Sequence, residues 1–165
     1  INELLNMVAI KEKELKVRKP VFIKIAPILD SEKIKKIVHV LEKHKIAGII
    51  ATNTKGDFTE EQLGFKLPGR GGVSGKILNS YSENTVKMLR EIVDKDTAII
   101  GVGGIFTGED AYRMMKLGAN MIQLYTGFIY EGPFISKNIC KEMIRLMDED
   151  GVKNISEIIG VGLKK

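Results

Sequence analysis

Residues 98 to 111, "AIIGVGGIFTGEDA", carry a short apolar run into a helix-like segment through four glycines in eight positions. A dinucleotide fingerprint there would read G-x-G-x-x-G. Gly101-Val102-Gly103-Gly104-Ile105-Phe106 instead puts Phe106 where the third glycine belongs. The Gly-Lys-Ser/Thr ending of a P-loop is also missing. What remains is a strand ending in Gly-Gly, whose bare backbone N–H groups can approach an oxyanion, followed by a capped helix. Thr107 with Glu109 and Asp110 supplies the capping-box-like start, with acids beside the positive helix end, and Gly118 closes that helix.

The same rhythm runs along the chain. "VFIKIA" (21–26), "AGIIAT" (47–52), "AIIGV" (98–102) and "MIQLY" (121–125) are short apolar runs, each followed by a longer stretch of helical spacing. Asp30 or Ser31 can cap a helix with Ile34, Ile37, Val38 and Leu41 on one side. Pro133 precedes a helix striped by Ile135, Ile139, Met143 and Met147. The runs lack period-two alternation, as expected of parallel strands covered on both faces, so the class is α/β. Between the second run and its helix lies a long Gly-rich polar insert, 55–82, a length that in a compact domain marks function or mobility. An open doubly wound sheet and a closed barrel both fit repeated β-α. A barrel needs eight strands over about 250 residues, so this chain would be half of one.

The 165 residues carry 44% apolar and 28% charged side chains and a formal charge of +5, which suits one globular domain. Lys and Glu are interspersed along helix faces instead of forming a basic block, so no nucleic-acid partner is expected. A mildly basic surface is compatible with a position near anionic lipid. No apolar run is long enough to span a membrane as a helix, and no signal peptide is evident. A single Cys140 allows no disulfide within the chain, and His39 and His44, five apart, suit joint metal ligation poorly and read as solvated, so no metal is expected. The chain opens on Ile1, inside what reads as an amphipathic helix over 1–17 with Leu4, Leu5, Val8 and Ile10 on its apolar side. It reads as a piece of a longer protein.

Several residues do not suit a core. Lys24 has apolar neighbours on both sides, and a buried lysine is costly unless paired, so it should reach an anion or snorkel out at the strand end. Thr52, Asn53 and Thr54 end the second run with short donor and acceptor groups that suit a planar polar ligand, although an Asx-turn at Asn53 would explain them alone. Gln123 reads as a satisfied core glutamine, and Phe58, Phe65 and Tyr81 as loop packing. "YTG" (125–127) ends the fourth run with further backbone N–H groups and a hydroxyl. Paired with the glycine cluster one unit earlier, it matches the phosphate site that many barrels build after their last two strands. The four runs then become strands five to eight.

Taken together, "VFIKIAP", "IIATNT", "GGVSGK.L", "IIGVGGIFTGEDA" and "ANMIQLYTGFIYEGP" closely resemble, in order and spacing, the C-terminal half of the family 2 (quinone-dependent) dihydroorotate dehydrogenases. The resemblance runs from about Pro20 to Gly160, and "QLYTG.IYEGP" is its most specific part. It implies a (β/α)8 TIM barrel of which this chain supplies the last four βα units, starting near 20, 46, 97 and 120, with residues 1–165 forming the C-terminal half of one FMN-binding domain. The implied activity is oxidation of dihydroorotate to orotate in pyrimidine (UMP) biosynthesis, by proton removal at C5 and hydride transfer from C6 to the flavin, with a membrane quinone as final acceptor.

By motif position the resemblance assigns Lys24 to the flavin ring, Thr52 to FMN, and Gly75 to the flavin or its ribityl chain. Gly104, Tyr125 and Thr126 would hold the phosphate, and Asn53 and Thr54 would hydrogen-bond orotate. The family's base serine lies on a loop of the preceding half, so no catalytic base is expected here; Ser74, Ser80 and Ser82 are not assigned that role. Helices that form the quinone tunnel and touch the bacterial cytoplasmic or mitochondrial inner membrane also precede this segment, so the piece alone should not catalyse. Ile77 stands where proline is common, and "KGDFTEEQLGFKLPGR" is more charged than the family's loop. From the residues alone, two alternatives stay open: a phosphate-binding barrel isomerase or aldolase using Lys24, and an assembly module in which two such halves pair.

Overall fold

The computed structural model describes residues 1–28, 30–66, 69 and 71–163. Helix α1 (Asn2–Leu15) leads into β1 (Phe22–Ile25), α2 (Ser31–Lys43), β2 (Gly48–Ala51), α3 (Glu60–Leu63), α4 (Asn79–Ile92), β3 (Ala98–Val102), α5 (Gly108–Lys116), β4 (Met121–Gln123), α6 (Thr126–Glu131) and α7 (Ile135–Glu149). The strands form one sheet in the order β1-β2-β3-β4, every pair parallel. A doubly wound sheet would reverse its strand order at a switch point. Sequential order throughout is instead that of a barrel segment, and the chain is α/β with the strand arrangement of part of a TIM barrel.

Register explains which face is buried. Ile23, Ile49 and Ile99 align across the sheet, as do Ile25, Ala51, Gly101 and Ile122. These rows turn toward the helices, where Ile49 and Ile99 meet Ile34, Val38, Leu41, Val86, Leu89 and Met114 in one buried core. Each such side chain removed from water contributes about 1.5–3 kcal/mol before ordering costs. The alternate row, Lys24, Ile50, Ile100 and Met121, points to the other face. There Lys24 is exposed and Met121 is 51% exposed. The expectation of strands covered on both faces is therefore corrected: helices cover one face, and Lys24 is not buried. Continuous apolar runs reflect two apolar faces, but among the described residues only one has a partner.

Local signals set the helix starts. Asp30 accepts the Glu32 and Lys33 N–H groups at the start of α2. Thr107 and Asp110 form the reciprocal capping box of α5. In α1, Leu5 is buried and Val8 half-buried, but Leu4 (59%) and Ile10 (58%) are exposed, so its expected apolar side is only partly used. His44 is not simply solvated: it is half-buried, and its Nε2 lies 2.7 Å from Asn2 Oδ1, joining α1 to the end of α2.

Short α3 lies within the insert, and α4 begins at Asn79, earlier than the expected boundary. Residues 67, 68 and 70 of it lie outside the described ones. Lys55 and Val73 form an antiparallel bridge at the loop's base. Lys55 Nζ lies 4.9 and 5.4 Å from the Phe58 and Tyr81 ring centroids, and those rings meet edge to face. Phe58 and Tyr81 thus pack the loop as expected, whereas Phe65 is 58% exposed.

Candidate functional site

The C-terminal ends of the four strands line a cavity of about 310 Å³. Parallel α/β folds bind ligands at that end, because the strand termini and helix starts leave backbone groups unpaired there. All eight positions singled out from the sequence line it: Lys24, Thr52, Asn53, Thr54, Gly75, Gly104, Tyr125 and Thr126. Leu78, Val102, Ile105 and Leu124 supply apolar wall. Gln123 also lines the cavity and is exposed, so it is not a core glutamine. Its register with Val102 puts it on the open face.

Backbone geometry shapes one wall. Gly103 and Gly104 have φ of +125° and +73°, a region that L side chains rarely adopt. A Cβ at Gly104 would lie 2.5 Å from Asn79 Cα, and one at Gly103 would strike the Ser82 hydroxyl. The strand end therefore approaches the start of α4 as closely as backbone can. The N–H groups of Gly104, Tyr125 and Thr126 meet no backbone acceptor among the described residues.

Three loops brace one another around the cavity. Thr126 Oγ1 donates to Ser74 Oγ at 3.0 Å, tying the end of the fourth unit to the insert. A Cβ on Gly127 would lie 2.6 Å from the Ile105 carbonyl oxygen, so that turn packs on the glycine loop. Asn79 Nδ2 donates to the Gly104 carbonyl at 3.2 Å. Ser74 lines the cavity although sequence reasoning does not place it there; its signal is the adjacent Gly75, whose φ of +90° turns the chain inward.

Thr52 is 2% exposed, and its hydroxyl lies 3.0 Å from Ser82 Oγ. Its N–H donates to the Val102 carbonyl at 2.7 Å, and Asn53 N–H to that of Ile25 at 2.6 Å, so the second strand end is clamped from both sides. Asn53 Oδ1 accepts the Thr54 N–H at 2.8 Å, a local turn, while both side chains stay exposed in the cavity. Behind the glycine loop sits Asp110. Burial pushes its carboxyl up, but hydrogen bonds from Lys76, Phe106 N–H and Arg113, with the Lys76 charge, outweigh that and hold it below the usual carboxylate value.

The site thus combines exposed backbone donors, one cation on the sheet face, short polar groups and an apolar wall. Such a set can hold a ligand with an anionic end and a flat polar body. Among the described residues no group of three or more His, Cys, Asp or Glu side chains could hold a metal ion, and no helix is long and apolar enough to cross a membrane.

The sequence model of the family described as dihydroorotate dehydrogenase matches residues 2–147. The dihydroorotate dehydrogenase (quinone) of Trichodesmium erythraeum is 42% identical over 156 residues, covering 89% of this chain and 41% of the relative. Its counterpart from Christiangramia forsetii is 42% identical over 147 residues, with 87% and 42% covered. The crystal structure of DHODH from Eimeria tenella in complex with ferulenol aligns with a TM-score of 0.81 at 31% identity, over 90% of this chain and 40% of that one. The chain spans about two fifths of the length of the relatives it matches. The resemblance carried by the strand-end motifs is borne out: this chain belongs to the dihydroorotate dehydrogenase family.

Proposed function

We propose that residues 1–165 form the C-terminal half of a quinone-dependent dihydroorotate dehydrogenase barrel that holds FMN and dihydroorotate in the strand-end cavity. The observation that carries this reading is the convergence of the eight positions assigned by motif, from four different βα units, on one cavity. The glycine wall and the N–H groups of Gly104, Tyr125 and Thr126 fit a phosphate, which needs backbone donors without side-chain bulk. Gly75 fits close approach of a ribityl chain. Lys24 would stand by the ring, and Thr52 would fix the adjoining strand end.

Bound there, FMN would supply the acceptor for the electron pair leaving dihydroorotate. This chain's share is positioning and charge. Lys24 would offer a positive charge where negative charge accumulates on reduction. Asn53 and Thr54 present an amide and a hydroxyl that complement the carbonyl and N–H edge of a pyrimidine. The proton-accepting base and the quinone and membrane contacts are assigned to the N-terminal half. Family membership favours this reading over an isomerase or aldolase.

The test uses the complete barrel, meaning this chain joined to its N-terminal half. Purified protein should be yellow, release FMN on denaturation, and reduce a soluble quinone analogue only with dihydroorotate present. Colourless protein would overturn the proposal. Lys24→Ala should weaken flavin binding or slow flavin reduction about 10- to 100-fold, the range for losing a hydrogen bond to a charged group. Unchanged flavin content together with an unchanged reduction rate would remove Lys24 from the site.

A further inference from the structure

Asp110 lies outside the cavity, yet two of the loops lining it lead back to its carboxylate. A capping box asks only that this side chain reach the Thr107 N–H, which it does at 3.2 Å. Asp110 takes three further donors: Lys76 Nζ at 2.7 Å, Phe106 N–H at 3.0 Å and Arg113 at 3.0 Å. Lys76 directly follows Gly75. Arg113 continues to Glu83 at 2.6 Å and to Asn79 Oδ1 at 3.3 Å, and Asn79 in turn holds the Gly104 carbonyl. The hydrogen bonds therefore run from beside one cavity glycine, through a carboxylate only 4% exposed, to the other.

We infer that Asp110 is a positioning residue for the anionic end of the cavity's ligand, fixing the Gly75 and Gly104 backbones so that the neighbouring N–H groups are aimed before a phosphate arrives. This rests on the FMN reading above. Aiming donors in advance spares the ligand the cost of ordering them on arrival. The sign of the effect separates this role from simple electrostatics. A carboxylate behind a phosphate site repels the phosphate, so charge alone would make Asp110→Asn bind FMN more tightly. Positioning requires the opposite.

The complete barrel, stripped of flavin, is titrated with FMN and with riboflavin, which lacks the phosphate, and flavin fluorescence reports both affinities. Asp110→Asn should weaken FMN about tenfold, the order for one lost hydrogen bond to a charged group, and change riboflavin less than about twofold. Arg113→Met leaves the cap intact and cuts the link to Asn79; it should show the same selectivity at about three- to fivefold, and it decides the matter if Asp110→Asn folds poorly. Equal losses for both flavins would reduce Asp110 to a structural residue, and unchanged or tighter FMN binding would overturn its role outright. Wild-type protein that binds neither flavin would overturn the FMN reading and this inference with it, whereas normal wild-type binding with unselective variants would overturn only the inference.

Discussion

At Gly104 the backbone holds φ of +73° directly against the first residue of α4. Any side chain meets two obstacles there, the left-handed conformation and main-chain atoms of Asn79 that cannot rotate away. Gly104→Ala should therefore destabilise by about 1–3 kcal/mol, read as a lower denaturation midpoint at unchanged slope. A midpoint equal to wild type would mean that the loop yields freely, and the preformed wall would go with it. This residue is legible in the sequence because a strand that ends on paired glycines needs them for a left-handed turn or a close backbone approach. Lys24 is legible only in part. Its chemistry stands out between apolar neighbours, but its exposure does not, since sequence does not say which of two apolar faces the same chain covers. Gln123 misleads for the same reason.

The elements are clearest where a local rule and a period coincide. Asp30 before the stripe of Ile34, Val38 and Leu41 marks α2, and Thr107 marks α5. Short α3 and α6 escape sequence reading, since runs of four and six residues are too short to show a helical period. Thr107→Ala should cost about 1 kcal/mol through the lost cap, measured as a shift in the urea midpoint. Asp110, with its four donors, should also show in the acid limb. Its carboxyl is held below the ordinary value when folded, so it binds fewer protons folded than unfolded. Its stabilisation is complete above the ordinary carboxylate pKa of about 3.9 and is lost as pH falls through the lowered folded value. Urea midpoints measured down a pH series should fall less steeply in Asp110→Asn than in wild type below about pH 4. Parallel curves would show that the carboxylate gains nothing from its four donors.

At the scale of the molecule, parallel order without a switch point leaves β1 and β4 as sheet edges and the Lys24 face uncovered. Edge strands carry unpaired backbone groups that invite pairing with another chain. Around β4 the apolar exposure is heavy: Met121 (51%), Phe128 (49%), Tyr130 (77%) and Phe134 (68%). Surface of this kind on a soluble chain marks an interface or an aggregation hazard. The proposed N-terminal half would cover both edges and the open face. It would also complete the cavity, whose eight assigned residues line its wall from one side. Residues 1–165 expressed alone should then self-associate with rising concentration in sedimentation velocity and lose added FMN on gel filtration. Mixing with the N-terminal half of the Trichodesmium erythraeum relative should yield a one-to-one complex that keeps the flavin. If the chain instead pairs with itself, a discrete two-copy species retaining FMN would appear, and the barrel would be closed by two like halves. A monomer that holds FMN unaided would contradict both, because its wall would then suffice without a facing one.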